Sequence, residues 1–298
     1  MESIGTNRVW KLLLAYDGTE FHGWQIQPGP RTIQGELRAA IARVTGEDVL
    51  PQGSGRTDAG VHAEGQVASF ILSAPIPEAN FLRALNRTLP PAIRVLRAER
   101  APAAFHARHS ANGKTYEYRI FRGEICPPWL ARYAYAFPQP LDLAAMQRAA
   151  GKFVGEHDFS SFAASDPDLG RRAAGKPEAI AGEDEDLAAP STIRTIHGSE
   201  WIEPRPQPSP DDQSRDPAAV LLRYRVSGNG FLHHMVRNLV GTLLEVGRGR
   251  LREDDIPRIL GARARSQAGP TAPARGLFLM SVQYQGADSN SPDTPCYS

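Results

Sequence analysis

The sequence is poor in cysteine. Cys126 and Cys296 are its only two; they stand far apart and fit no CxxC pattern. That excludes a disulfide scaffold and a cysteine-built zinc site. No run approaches the ~18 uninterrupted apolar residues of a membrane span, and Met1 to Arg8 holds no apolar signal core. A soluble, cytoplasmic protein is the expectation. Lysine is scarce too: of 34 basic residues, 4 are Lys and 30 are Arg. Arginine favours bidentate phosphate contacts and stacking on bases, although codon bias in a GC-rich genome gives the same count. A strong overall charge is also missing, but the net value of +1 averages unlike regions. Residues 158–219 carry 6 basic against 13 acidic groups, while 220–286 carry 10 against 4. What is present is ordinary globular usage, with 41% hydrophobic and 22% charged residues. The length suits two domains at roughly 150 residues each.

Periodicity places the elements. Val9 to Tyr16 alternates as a strand and closes on the turn Asp17-Gly18. Gln34 to Thr45 is an amphipathic helix with Leu37, Ile41 and Val44 on one face and Gly46 at its C-terminal cap. A Gly-rich loop at 53–60 precedes a strand from Gln66 to Leu72. Glu78 to Leu89 reads as a helix stopped by Pro90-Pro91, then Ile93 to Ala98 as a strand. Thr115 to Phe121 is a further strand, and Asp142 caps a helix bearing Met146, Ala150 and Phe153. The strand Val220 to Val226 leads to a long helix, Phe231 to Val246, stopped by Gly247. Asp254 opens a short helix, and Leu277 to Tyr284 is the last strand. Interleaved strands and helices predict an α+β or α/β architecture. Residues 166–190 and 204–217 are acidic or Pro-rich insertions, and a disordered tail is expected after Gly286.

Four features carry chemistry. In the loop Gly53-Ser54-Gly55-Arg56-Thr57-Asp58-Ala59-Gly60-Val61-His62, small residues surround one Arg and one Asp. It is neither a P-loop nor a dinucleotide fingerprint. Its carboxylate is either offered to a substrate or folded onto its own backbone in a tight turn. On the long helix, His233, His234, Arg237 and Asn238 form a polar stripe beside an apolar one. That stripe faces water or lines a polar site, and a buried Arg237 requires an acid nearby. Tyr116 and Tyr118 share one strand face, as core or as a stacking platform. His106 and His109, His233 and His234, and His62 have no HExxH spacing or second ligand cluster, which argues against a metal site.

Taken in order, these segments resemble the tRNA pseudouridine synthase A (TruA) family over about residues 8–286. The matching stretches are Tyr16-Asp17-Gly18 through Gly23-Trp24-Gln25, Gly55 to His62, Phe105-His106-Ala107-Arg108, Tyr116-Glu117-Tyr118, Asn229 to Asn238, and Gly276-Leu277. Ser54 stands where Ala is commoner, and the two insertions are longer than the family's pattern.

The resemblance implies an α+β pseudouridine synthase fold, with two ferredoxin-like halves and largely antiparallel sheets around a central cleft. On it, residues 1–109 form an N-terminal domain with the Asp loop, 110–286 a C-terminal domain, and 287–298 a tail. The implied activity is isomerisation of uridine to pseudouridine at positions 38, 39 and 40 of the tRNA anticodon stem-loop. The enzyme implied is a homodimer without cofactor, metal or membrane association. Asp58 matches the catalytic aspartate, Tyr116 the substrate-stacking tyrosine and Arg237 the aspartate's basic partner. Leu277 matches an apolar residue packed beside them, and Arg56 an arginine that helps displace the target base. Two rivals are a non-catalytic RNA-binding protein on the same scaffold and a metal-dependent RNA hydrolase using Asp58 and the histidines.

Overall fold

The computed structural model of the chain describes residues 8–164, 191–202 and 220–285. The insertions at 166–190 and 204–217 and the tail after Gly286 lie outside the described residues. In chain order the elements are β1 (Arg8–Tyr16), α1 (Ile33–Thr45), β2 (Gln52–Gly53), β3 (His62–Leu72), α2 (Glu78–Thr88) and β4 (Ile93–Arg100). Then come β5 (Ala111–Arg122), α3 (Pro128–Ala131), β6 (Tyr135–Ala136), α4 (Leu143–Gly151), β7 (Gly155–Asp158) and β8 (Ile193–Ile202). The last four are β9 (Val220–Gly228), α5 (Met235–Gly247), α6 (Asp255–Ala262) and β10 (Leu277–Tyr284). Among the described residues, no helix is long and apolar enough to cross a membrane. The mixture is α+β, as expected. It divides into two compact units: Met1–Pro138 with Ile202–Ser227 and Pro273–Ser298, and Gln139–Trp201 with Gly228–Ala272.

In the first unit the strands lie in the order β4-β1-β3-β10-β5-β9, with β2 on β3 and β6 on β5. The pairs β1–β3, β1–β4, β2–β3 and β10–β5 are antiparallel, while β3–β10 and β5–β6 are parallel. One face is apolar because Trp10, Leu12 and Leu14 alternate inward along β1 and are buried. The α2 residue Phe81 meets that face edge-on, its ring 4.8 Å from Trp10. Helix α1 begins where Thr32 Oγ1 accepts from Gly35 N (3.2 Å) and ends on Gly46 at φ 79°.

Two irregularities in this sheet position the site. The β1–β3 register slips between Leu14 and Tyr16, so that Leu14 pairs with Gln66 but Tyr16 with Ala63. This bulge turns Gln66 toward the Tyr16 face and His62 away from it, although the two residues have the same sequence parity. Beside it, β10 slips between Leu279 and Ser281. A Cβ on Gly65 would sit 2.2 Å from the Met280 carbonyl oxygen. Glycine is required there because one bulge lies against another.

In the second unit, β7 and β8 pair antiparallel, from Gly155 with Ile196 to Asp158 with Ile193. Asp142 caps α4 as expected, accepting from Ala145 N at 2.9 Å. Phe153, Phe159 and Phe162 form a buried aromatic cluster. The segment after α6 is strapped to α5. Arg265 donates to Asn238 Oδ1 (2.9 Å) and Gly269 O (2.9 Å), and Gly269 N donates to Thr242 Oγ1 (2.9 Å). Gly241 has no room for a side chain, since a Cβ would lie 1.6 Å from Pro270 O.

Two sequence expectations about the long helix are corrected. It starts at Met235 rather than Phe231, because His234 takes a left-handed conformation (φ 58°) that an α-helix cannot contain. His233 and His234 therefore precede the helix, and the expected polar stripe reduces to Arg237 and Asn238. Nor does Gly247 stop the helix: it is its last residue, and a Cβ there would meet Met146 Sδ. The glycine that turns left-handed is Gly249, at φ 71°.

Candidate active site

Asp58 lies on the loop joining β2 to β3, half-buried, between an exposed Arg56 and an exposed Ala59. The loop is tied down through its main chain. Trp24 N donates to Thr57 O (3.0 Å), Val61 N to Asp58 O (3.1 Å) and Gly60 N to Phe21 O (3.2 Å). Its stem is held by Gln66, which is fully buried. Gln66 Nε2 donates to Gly55 O (3.0 Å), while its Oε1 accepts from the Ser54 hydroxyl (2.6 Å) and from Val67 N (3.1 Å). Gly23 presses on the loop from below: at φ 85°, its missing Cβ would lie 2.5 Å from Thr57 O. The main chain of the loop is thus both turned on itself, through Val61 N and Asp58 O, and scaffolded from outside by Trp24, Phe21 and Gln66.

The wall beside it comes from β5. Tyr116 is 8% exposed, near enough to Tyr16 and Asp58 to feel both electrostatically. Burial first, and then those neighbours, push its phenol above the ordinary value near 10. The phenol therefore stays protonated at neutral pH. Tyr16 is likewise pushed up to about 12, by burial. Its hydroxyl lies 2.8 Å from the Thr57 hydroxyl, next to Asp58 in the chain. Leu277 is buried and pairs across the sheet with Tyr118, while Leu279 pairs with Tyr116. Leu277 thus lies diagonal to Tyr116 on the same face. The Tyr118 hydroxyl donates to Pro273 O (2.7 Å), fixing the turn that delivers Leu277.

Asp58, Arg56, Tyr116 and Leu277 all belong to the first unit. Arg237 belongs to the second, on the first turn of α5. There its Nε donates to Ala272 O (2.8 Å), and Ala272 N donates back to its carbonyl (3.1 Å). The residues that sequence reasoning missed are Tyr16, Gln66 and Lys114, which all grip the loop. One signal was legible: Gln66 is a lone amide in a strand of small and apolar residues.

At the loop's far end, His62 is 1% exposed and stacks on Phe278 at 4.6 Å. Gly18 N donates to its Nδ1 (3.1 Å), so the proton sits on Nε2 and points at Arg132 O, 3.1 Å away. Asp17 Oδ1 lies 3.2 Å from Nδ1, the contact of an ion pair only if the ring is charged. Burial is the largest influence and depresses the imidazole below its ordinary 6.5, with Asp17 opposing. A neutral ring is favoured, because the Gly18 bond needs the Nδ1 lone pair. A base depressed in the folded state contributes stability that is complete above the unfolded value and lost as pH falls through the folded one. Thermal unfolding from pH 8 to 5 is expected to show Tm falling below about 6.5, with a one-proton slope of at most ~1.4 kcal/mol per pH unit. Subtracting the profile of His62→Gln isolates this contribution; parallel profiles would exclude it.

The opposite face of β5 carries a separate cluster. Glu117, 1% exposed, accepts from Arg119 Nε (3.0 Å) and Arg225 Nη2 (3.0 Å), with Arg223 3.9 Å away. Arg119 also reaches Glu64 (2.6 Å) and lies 3.8 Å over the Phe278 ring. A cavity of about 460 Å³ opens here, lined by Leu130, Tyr133 and Leu221 besides the charged groups. Glu117→Ala would leave the guanidinium groups facing one another, at an expected cost of about 2 kcal/mol in stability. In thermal unfolding that is a Tm drop of roughly 4 °C.

The family model for tRNA pseudouridine synthase matches residues 13–110 and 179–285. A tRNA pseudouridine synthase A from Solibacter usitatus is 48% identical over 275 residues, covering 92% of this chain and 98% of that protein. Those of Moorella thermoacetica and Acetivibrio thermocellus are 43% and 40% identical, each over 92% of this chain and 98% of the relative. The motif in the Asp loop, the tyrosine strand beside it and this end-to-end likeness agree: the chain belongs to the tRNA pseudouridine synthase family.

Proposed function

We propose that the protein isomerises uridine to pseudouridine at positions 38, 39 and 40 of the tRNA anticodon stem-loop, with Asp58 as the catalytic carboxylate. The observation that carries this reading is Asp58 on a main-chain-tethered loop beside the buried Tyr116 face, in a chain 48% identical to a tRNA pseudouridine synthase A. The N1–C1′ bond opens, the uracil turns, C5 bonds to C1′, and the proton leaving C5 is balanced by one gained at N1. No electron is exchanged and no water consumed. A carboxylate serves such a reaction as nucleophile or as base. Tyr116 stacks on the extruded base, and Arg56, exposed on the loop, fills the vacated place while meeting a phosphate. Leu277 keeps water from the detached uracil. On the family resemblance, Arg237 is the aspartate's basic partner, and the protein acts in the cytoplasm as a homodimer without cofactor. The arginines at 220–286 supply phosphate contacts and hence salt-dependent binding.

The test uses unmodified tRNA transcripts with uridine at 38, 39 and 40, incubated with wild type and Asp58→Ala in excess EDTA. Pseudouridine is mapped by carbodiimide-stop sequencing. Conversion by wild type alone is the expected result. Binding without conversion by either protein would indicate a non-catalytic RNA binder, and conversion that EDTA abolishes would indicate a metal-dependent enzyme.

A further inference from the structure

We infer that Lys114 is a positioning residue of this reaction: it clamps the stem of the Asp58 loop to the strand that carries Tyr116. The inference rests on the function proposed above. Lys114 lies two residues before Tyr116 on β5 and shares its face. Its Nζ donates to the carbonyl oxygen of Ser54 at 2.8 Å. Ser54 is fully buried, and its N–H and hydroxyl are already bonded to Val67 O (2.8 Å) and Gln66 Oε1 (2.6 Å). The next residue makes room for the lysine. A Cβ on Gly55 would sit 2.7 Å from Nζ, and Gly55 is not among the glycines with positive φ. Glycine there serves space, not backbone conformation.

The stem is thereby gripped from two strands that do not touch. Gln66 holds it from β3 and Lys114 from β5, with β10 between them in the sheet. Gln66, Trp24, Phe21 and Tyr16 tether the loop without reaching β5; Lys114 adds a tie to the strand of Tyr116, so that Asp58 and that ring keep one spacing. An ammonium suits the task, since a charge-assisted bond to a carbonyl is roughly twice as strong as a neutral one. It is also long enough to cross the intervening strand.

The experiment compares full-length wild type, Lys114→Met, Lys114→Arg, Gly55→Ala and the Lys114→Met/Gly55→Ala double variant. Tritium release from tRNA transcripts labelled at uridine C5 gives the single-turnover rate, and filter binding across salt concentrations gives Kd. Lys114→Met is expected to slow the saturated rate about 10- to 100-fold, the effect of a misplaced reacting group, with Kd within about twofold and the salt slope unchanged. Lys114→Arg should restore most of the rate. Gly55→Ala pushes the ammonium off Ser54 without removing its charge; it should reproduce the loss, and the double variant should be no slower than the slower single. Hydrogen exchange of the peptide spanning 54–61 should quicken in Lys114→Met and Gly55→Ala and stay slow in Lys114→Arg. If Lys114→Met fails to fold, Gly55→Ala alone decides. An unchanged rate with weaker binding and a salt slope smaller by about 1 would make Lys114 a phosphate contact and overturn the proposal. So would unchanged exchange. A wild type that releases no tritium would sink the function proposed above, while the exchange data would still decide the clamp.

Discussion

Asp58→Asn is expected to lower the rate of pseudouridine formation by roughly 10⁴-fold or more, the scale on which enzymes lose an essential acid–base or nucleophilic group. That is about 5.4 kcal/mol of transition-state stabilisation. The substitution changes charge and almost nothing else. The main-chain bonds that shape the loop, to the carbonyls of Gly55, Thr57 and Asp58 and from Gly60 N to Phe21 O, survive an isosteric side chain. Thermal stability should therefore stay within about 1 kcal/mol of wild type, and tRNA affinity should be preserved. Asp58→Glu tests distance instead of charge: one methylene moves the carboxylate by ~1 Å, an error expected to cost about 10²-fold. A rate for Asp58→Asn within tenfold of wild type would remove Asp58 from the chemistry while leaving the family membership untouched.

The largest loss of stability is expected from Gly241→Ala. Its methyl carbon would overlap Pro270 O at 1.6 Å, and both partners are main chain, so no side chain can swing aside. The strap itself is pinned by Arg265, Thr271 and Thr242. Overpacking of this kind typically costs 1–3 kcal/mol and occasionally more; about 3 kcal/mol is expected here. For a chain of this size that lowers Tm by roughly 5–6 °C in differential scanning calorimetry. Because the same strap ends on the Ala272 carbonyl that receives Arg237 Nε, activity should fall further than stability explains. A Tm within 2 °C of wild type, roughly 1 kcal/mol on the same scale, would show that the strap yields.

Local chemistry was legible in the sequence; long-range register was not. Gly46 and Asp142 announced helix ends because a cap involves a few consecutive residues, and both cap as expected. Asp58 stood out as the acid in an otherwise small-residue loop. His234 did not announce its left-handed backbone, since histidine carries no strong signal for it. Gln66 stood out as an amide and Lys114 stood just before the strand expected from Thr115, but neither showed which loop it would meet, because that depends on how distant strands are ordered in the sheet. Strands β7 and β8 escaped because four residues are too few to show a period, and the ten of β8 mix polar and apolar without one.

The Asp58 loop owes its shape largely to its carbonyl oxygens: those of Gly55, Thr57 and Asp58 accept from Gln66, Trp24 and Val61, while the Arg56 and Ala59 side chains are exposed. That part of the frame is thus written in main-chain atoms, which a change of side chain leaves in place. Substitution at exposed Ala59 can therefore vary the loop's outer surface while the frame persists, whereas the residues that shape that frame, Gly23 and Gln66, lie elsewhere in the sequence.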